Sequence, residues 1–355
     1  MPLRTHLALL TAGLAAATCL TAVGPAQAHT QHACSPAVSI GGYSDALDKT
    51  TFENTYVGNF SALAVDGDGS LAALSDRSSL FRLDARTLKP RSVVPLTDEN
   101  GTALDSEGLV VDLPHSRPRS SGGAPIGTYL VSSETEPSIR RYSRTGRLLG
   151  RLPVPDSLRV SPAGRARPNG TFEGLTLLPG GRTLLASMEY ALSGDDSTIV
   201  RFQTWRRSPH GHFTLGAQYA YRTDPGLGVP EVQATPDGRL LVLERGFTPG
   251  VGNTVRLYLA DPRKATDTSA VETLPAAPGT RLVDKTLLTD LATCPSLGAT
   301  AEQPQPNPLL DNIEAMTITG HAKNSLKVVL ASDDNENKTQ TTRFYALRVR
   351  TTLRG

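Results

Sequence analysis

Aromatic side chains make up only 5% of this 355-residue chain. Beyond the first thirty residues no apolar run is long enough to cross a membrane as a helix, and no segment keeps a helical apolar period past about three turns. Charge of one sign is missing as well: 36 Lys and Arg stand against 34 Asp and Glu, a formal net charge of +2. A near-neutral chain without a long basic run offers nucleic acid no electrostatic footprint. The common catalytic signatures are also absent. There is no Gly-x-Ser-x-Gly elbow, no His-Glu-x-x-His, no P-loop and no dinucleotide fingerprint, which excludes α/β serine hydrolases, zincins, P-loop NTPases and Rossmann oxidoreductases. Cysteine is scarce: Cys19, Cys34 and Cys294 are the only three.

What is abundant is turn chemistry, with 32 Gly and 26 Pro. The start of the chain reads separately. Arg4, the apolar run Leu7 to Val23 and the small-x-small site Ala26-Gln27-Ala28 form a secretory signal peptide cut after Ala28. A lipoprotein signal at Cys19 fits less well, because Ala16-Ala17-Thr18 lacks the branched residue such signals carry. A retained anchor is disfavoured by the cleavage site. The expected layout is a leader over 1–28 and one domain over 29–355. Losing the leader removes one Arg and leaves a net charge of about +1. The mature protein is expected outside the cell, free of the membrane, and there Cys34 and Cys294 form a disulfide.

The chain is organised by a repeated unit, seen most clearly in Phe172 to Glu189, FEGLTLLPGGRTLLASME. Two apolar strands split by Pro179-Gly180-Gly181 make an antiparallel hairpin. Glu173 at the start of the first strand and Glu189 at the end of the second then share one edge. Copies follow the same plan over Ser61–Leu83, Asp105–Tyr142, Pro230–Leu259 and Asn312–Val349, each with three or four short strands. Such units must stack to bury both sheet faces, and four-stranded sheets arranged radially make a β-propeller. The fold class is therefore all-β, a single propeller. Five copies are visible, and a sixth blade is expected from Val38–Val57 with Leu282–Leu291. The disulfide would close the circle near its ends.

Equivalent positions of the repeat carry Asp76, Arg77, Glu107, Glu134, Glu173, Glu189, Glu231, Glu244, Arg245, Glu314, Asp333 and Asn335. In a propeller these face a common channel mouth, where like carboxylates repel. Hard cations such as Ca²⁺ offset that repulsion with oxygen ligands. The turn Asp66-Gly67-Asp68-Gly69 lacks the Glu and helices of an EF-hand and reads as a plain hairpin turn. His210 and His212 stand in a polar loop without a metal-binding partner motif.

At these residues the sequence resembles the family described as esterase-like activity of phytase. The elements that carry the likeness are Leu74-Ser75-Asp76-Arg77, Asp105-Ser106-Glu107-Gly108-Leu109, Ser133-Glu134 with Pro137-Ser138-Ile139, Phe172-Glu173-Gly174-Leu175 with Met188-Glu189, Leu243-Glu244-Arg245-Gly246, and Asn312-Ile313-Glu314 with Ser332-Asp333-Asp334-Asn335. They span roughly residues 55 to 350. One departure is Ala315, where a glycine follows the Glu in the second and third copies. The resemblance implies a propeller with a polar central site and hydrolysis of phosphate or carboxylic esters.

Position in the repeat supplies candidate roles. Glu107, Glu173, Glu314 and Asp333 would hold Ca²⁺, which acidifies water and polarises an ester oxygen. Glu189 or Glu134 would act as general base. Arg77 and Arg245 would stabilise developing charge, and Asp76, Arg77, Arg245 and Asn335 would contact substrate. The partner is then a small-molecule ester acted on by a monomer. The competing reading is a non-catalytic extracellular propeller that keeps the cation for structure.

Overall fold

The computed structural model describes residues 32–113, 127–275 and 278–351; the expected leader lies outside them. Among the described residues the chain is built from strands and three single-turn 3-10 helices. The third repeat shows why. Phe172–Leu177 and Thr183–Met188 are buried on both faces, so neither an amphipathic helix nor a solvent-facing sheet suits them. Gly180 and Gly181 between them hold positive φ angles of 86° and 64°, which a Gly-Gly turn accepts without steric cost.

Twenty of the 22 strands form five antiparallel four-stranded sheets. Blade one is β4–β7 (Phe60–Val65, Leu71–Ser75, Ser79–Leu83, Pro90–Pro95), and blade two is β8–β11 (Ser106–Asp112, Thr128–Ser133, Ser138–Tyr142, Leu148–Arg151). Blade three is β12–β15 (Phe172–Leu177, Thr183–Met188, Ile199–Arg207, Phe213–Arg222). Blade four is β16–β19 (Gly228–Ala234, Leu240–Thr248, Gly252–Asp261, Asp284–Asp290). Blade five takes β20–β22 (Ile313–Ala322, Ser325–Ser332, Phe344–Arg350) and adds β1 (Val38–Ser44) as its outer strand. The innermost strands β4, β8, β12, β16 and β20 contact one another in that order, and β20 returns to β4.

The expected sixth blade is therefore corrected to five. Each of its pieces completes something else. Val38–Ser44 pairs with Phe344–Val349, residues 284–290 form the outer strand of blade four, and the remainder is a small hairpin, β2–β3 (Thr50–Phe52, Thr55–Val57). The buried apolar residues give the same count, because five main clusters each lie between neighbouring sheets. Leu74 and Leu80 meet Tyr129 and Val131; Leu130 and Ile139 meet Phe172 and Trp205; Phe202 and Tyr221 meet Val242 and Tyr258; Leu243 and Leu257 meet Met316 and Leu330; Ala331 and Phe344 meet Phe60 and Phe81.

Closure is doubly secured. β1, from the start of the chain, zips onto β22 near its end, and the Cys34–Cys294 disulfide joins the approach to β1 to the turn after β19 across 260 positions. In the chain-entropy model such a cross-link contributes about 2–4 kcal/mol. The turn at Asp66–Gly69 is a hairpin connection whose acids are taken by arginine: Arg144 reaches Asp66, and Arg82 reaches Asp68.

Candidate functional site

Every inner strand begins with a β-bulge, and the bulge builds the site. Register slips by one residue between Phe60 and Ala62, Ser106 and Leu109, Phe172 and Leu175, Gly228 and Glu231, and Ile313 and Ala315. A bulge re-aims the extra side chain away from the alternation of the strand. Its first residue is Ser61, Glu107, Glu173, Val229 and Glu314 in blades one to five. A second ring stands just beyond the end of the neighbouring strand in blades one, two, three and five, where the backbone N–H groups of Asp76, Glu134, Glu189 and Asp333 donate to the carbonyls of Asn59, Asp105, Thr171 and Asn312.

These two rings converge. Ligand oxygens of Asp105, Glu107 and Glu134 lie within 4.8 Å of one another, and so do those of Glu134, Glu173 and Glu189. Glu134 is common to both groups. It is oriented by the turn before β12: one oxygen accepts the Thr171 N–H at 3.1 Å, while the Thr171 hydroxyl donates to its carbonyl at 2.8 Å. On the far side Arg245 reaches Glu314 and lies 3.7 Å from Glu189. Asn312 Nδ2 donates to Glu314 at 3.1 Å and to Asp333 at 3.4 Å.

Burial and mutual repulsion push these carboxyls upward. Glu134 and Glu189 rise from 4.5 to about 7, burial first, with Asp105 adding to the first and Glu134 to the second. Asp76 rises to about 6 by burial, despite Arg77. Burial, followed by a neighbouring glutamate, drives Glu107, Glu173 and Asp333 well above the usual range. Glu314 also rises by burial, restrained by Arg245. Burial works against the charge on Arg245, but Glu314 and Glu189 outweigh it.

Donor chemistry fits a hard cation. All ligands are carboxylate oxygens, and a 4.8 Å spread matches oxygens on opposite sides of an ion with bonds of about 2.3–2.6 Å. The Ser61 hydroxyl, buried in the corresponding position of blade one, has no hydrogen-bond partner among the described residues. Two of the expected ligands, Glu107 and Glu173, fall in these groups. Glu314 and Asp333 sit beside them, engaged by Arg245 and Asn312.

Other expected residues are placed differently from one another. Arg77 is on the rim, its side chain 64% exposed and 3.7 Å from Asp76. Asn335 is exposed in the turn after Asp333, to which its N–H donates at 2.8 Å. Glu231 lies two residues past the bulge start, so it corresponds to Leu175 rather than Glu173; it is fully buried and its oxygen accepts from the Val232 N–H at 2.8 Å. Glu244 leaves the mouth altogether. It is bound by Tyr221 Oη at 2.7 Å, the Asp224 N–H at 2.8 Å and Lys285 Nζ at 2.6 Å. Asp105, Asn312 and Tyr190 were not assigned roles from the repeat. The first two were visible inside quoted motifs, one residue before an inner strand. Tyr190, which hydrogen-bonds Glu189 and is pushed by burial to about 12, had only its adjacency to Glu189 as a signal.

The fold and site thus define a five-bladed propeller with a buried acidic channel mouth. The chain belongs to the phytase-like family described as esterase-like activity of phytase, whose model matches residues 55–336. No curated protein matches the chain. The acidic groups of the mouth could hold a metal ion.

Proposed function

We propose that this protein is an exported, cation-dependent hydrolase of phosphate or carboxylic esters acting at the acidic mouth. The observation that carries the reading is the pair of three-carboxylate groups sharing Glu134, in a family whose description is an esterase-like activity. Export is supported by the Cys34–Cys294 disulfide, since such bonds persist in oxidising compartments. Among the described residues no helix is long and apolar enough to cross a membrane.

Asp105, Glu107 and Glu134 would form the principal seat for Ca²⁺, with Glu173 closing the second group. When bound, the cation supplies Lewis-acid polarisation of the ester and a more acidic water. The protein's own residues do the rest. Glu189, steadied by Tyr190 and Arg245, takes the proton of the attacking water; its upward shift to about 7 suits a base working near neutrality. As the new oxygen bond forms, the bond to the alcohol breaks, and Glu189 returns the proton to the leaving oxygen. Arg245 offsets charge that develops at the centre. Asp76 with Arg77, from blade one, and Asn335, from blade five, border the entrance as substrate contacts.

The test is hydrolysis of p-nitrophenyl phosphate, p-nitrophenyl acetate and phytate by the mature protein with calcium, with EDTA, and with Glu173→Gln. Turnover that disappears under both EDTA and the variant is the expected result. Absence of turnover on all three, with a melting temperature that still falls on chelation, would replace the hydrolase with a binding propeller that uses the ion for structure.

A further inference from the structure

One exposed cation beside the mouth comes from outside the repeat, stacked on the tyrosine that bonds Glu189. Arg245 is committed to Glu314 and Glu189, and Arg77 carries its own counter-charge in Asp76, 3.7 Å away. Arg167 differs from both. It is exposed, its guanidinium carbon lies 3.4 Å from the centroid of the Tyr190 ring, and no carboxylate or carbonyl of the described residues accepts from its N–H groups.

The stack is built into the backbone. A Cβ on Gly170 would come within 2.7 Å of Arg167 Nε and 2.9 Å of the Tyr190 ring. A Cβ on Gly228, on the other side, would lie 3.0 Å from both Glu189 and Tyr190. Two glycines therefore leave room for the guanidinium and the ring. The segment carrying Arg167 is fixed at both ends: the Ser193 N–H donates to the Arg165 carbonyl at 2.8 Å, and Thr171 holds Glu134. One short turn thus orients the shared carboxylate of the mouth and presents a planar, five-donor cation against Tyr190, the residue that follows Glu189.

We propose that Arg167, stacked on Tyr190, is the seat for the anionic group of the substrate, so that the site takes phosphate monoesters in preference to neutral esters. A guanidinium offers two parallel N–H donors to phosphoryl oxygens, and stacking on an aromatic ring reduces the entropic cost of holding it in place. The proposal rests on the hydrolase reading for the word substrate, but the anion seat is testable without turnover.

Binding of inorganic phosphate to the calcium-loaded mature protein is measured by calorimetry for the wild type, Arg167→Gln, Arg167→Lys and Tyr190→Ala. Arg167→Gln should weaken phosphate binding about tenfold or more, with an unchanged melting temperature because the side chain is exposed. Arg167→Lys, which keeps the charge without the fork, should fall between, and Tyr190→Ala should weaken binding by removing the platform. With p-nitrophenyl phosphate, Arg167→Gln should raise KM by the same factor and leave kcat; with p-nitrophenyl acetate it should change neither. Equal phosphate affinity in wild type and Arg167→Gln, or no phosphate binding by wild type, overturns the seat even if the acetate ester is hydrolysed. Arg167-dependent phosphate binding without hydrolysis of either ester keeps the seat and removes the hydrolase.

Discussion

Blades two and three differ from blade four in how they meet the channel. In the former, each bulge opens with a glutamate and the adjoining strand ends on another: Glu107 with Glu134, Glu173 with Glu189. Blade four has the same bulge in the same place, yet Val229 and Gly246 stand at the two acidic positions. In their stead Arg245, one residue earlier on β17, sends its guanidinium to Glu189 of blade three and Glu314 of blade five. The backbone device is common to all blades, while the side chains sort it into an acidic sector and a basic brace. A repeat need not repeat its chemistry. The brace holds the two flanks of the acidic sector, and the part of the sector left without a protein cation, around Glu134, is the part whose geometry suits a metal.

The largest expected effect concerns these acids and the ion that they could hold. Glu134 and Glu189 shift from 4.5 to about 7 in the folded chain, so folding favours their protonated forms. The stability they contribute is complete below about pH 4.5 and is lost as pH rises through 7. Each shift corresponds to about 3 kcal/mol. In chelator the protein should melt well below its pH 5 value at pH 8, and calcium should close most of the gap; a chelated protein that is steadier at pH 8 breaks the account. Next comes the brace. Arg245→Ala leaves Glu314 and Glu189 buried without their partner and should cost about 3 kcal/mol at pH 8 by urea denaturation. An unaltered midpoint would show that the two acids find compensation elsewhere.

The smallest effect concerns the bulge itself. A Cβ on Gly174 would lie 2.5 Å from the Val232 backbone nitrogen and 2.7 Å from Glu231 Cα, so Gly174→Ala should lose about 1–3 kcal/mol through backbone displacement. Ala315→Gly, at the equivalent position of blade five, should cost only about 1 kcal/mol. Comparable losses at the two positions would mean that the inner strands approach equally closely around the ring.

Much of this was legible because turns and acids recur in step. The Gly/Pro/Asp turns, the Glu-Gly pairs and the cysteines Cys34 and Cys294 pointed to the propeller, to Glu107 and Glu173 near one another, and to the disulfide that the structure contains. The blade count was not legible. β1 and β22 pair across the whole chain, and a strand whose partner is some 300 positions away looks like the start of another unit. Glu231 misled for a local reason: in blade four the acid lies two residues beyond the bulge start, a distance that spacing alone does not resolve. Arg77 and Arg245 looked equivalent as neighbours of an acid, but one follows the ring position and the other precedes it. Arg77 falls in the turn beyond the end of β5 and reaches the rim, whereas Arg245 lies within β17 and is held inward. Arg167 belongs to no repeat, and its role emerges only from the stack on Tyr190.

Closing the ring has an electrical side. β1 is made early and β22 late, so a chain emerging from its N-terminus has every acid of the mouth in hand before the final blade can form. Until β1 pairs with β22, Asp76 of blade one and Glu314 with Asp333 of blade five belong to opposite ends of an open arc. The last strand pairing brings these charges together and must do work against their repulsion. A divalent cation held by these acids would lower the work, and so would bear on assembly as well as on the finished molecule. The Cys34–Cys294 bond then serves as a latch, holding shut a circle that its own charge would help to reopen.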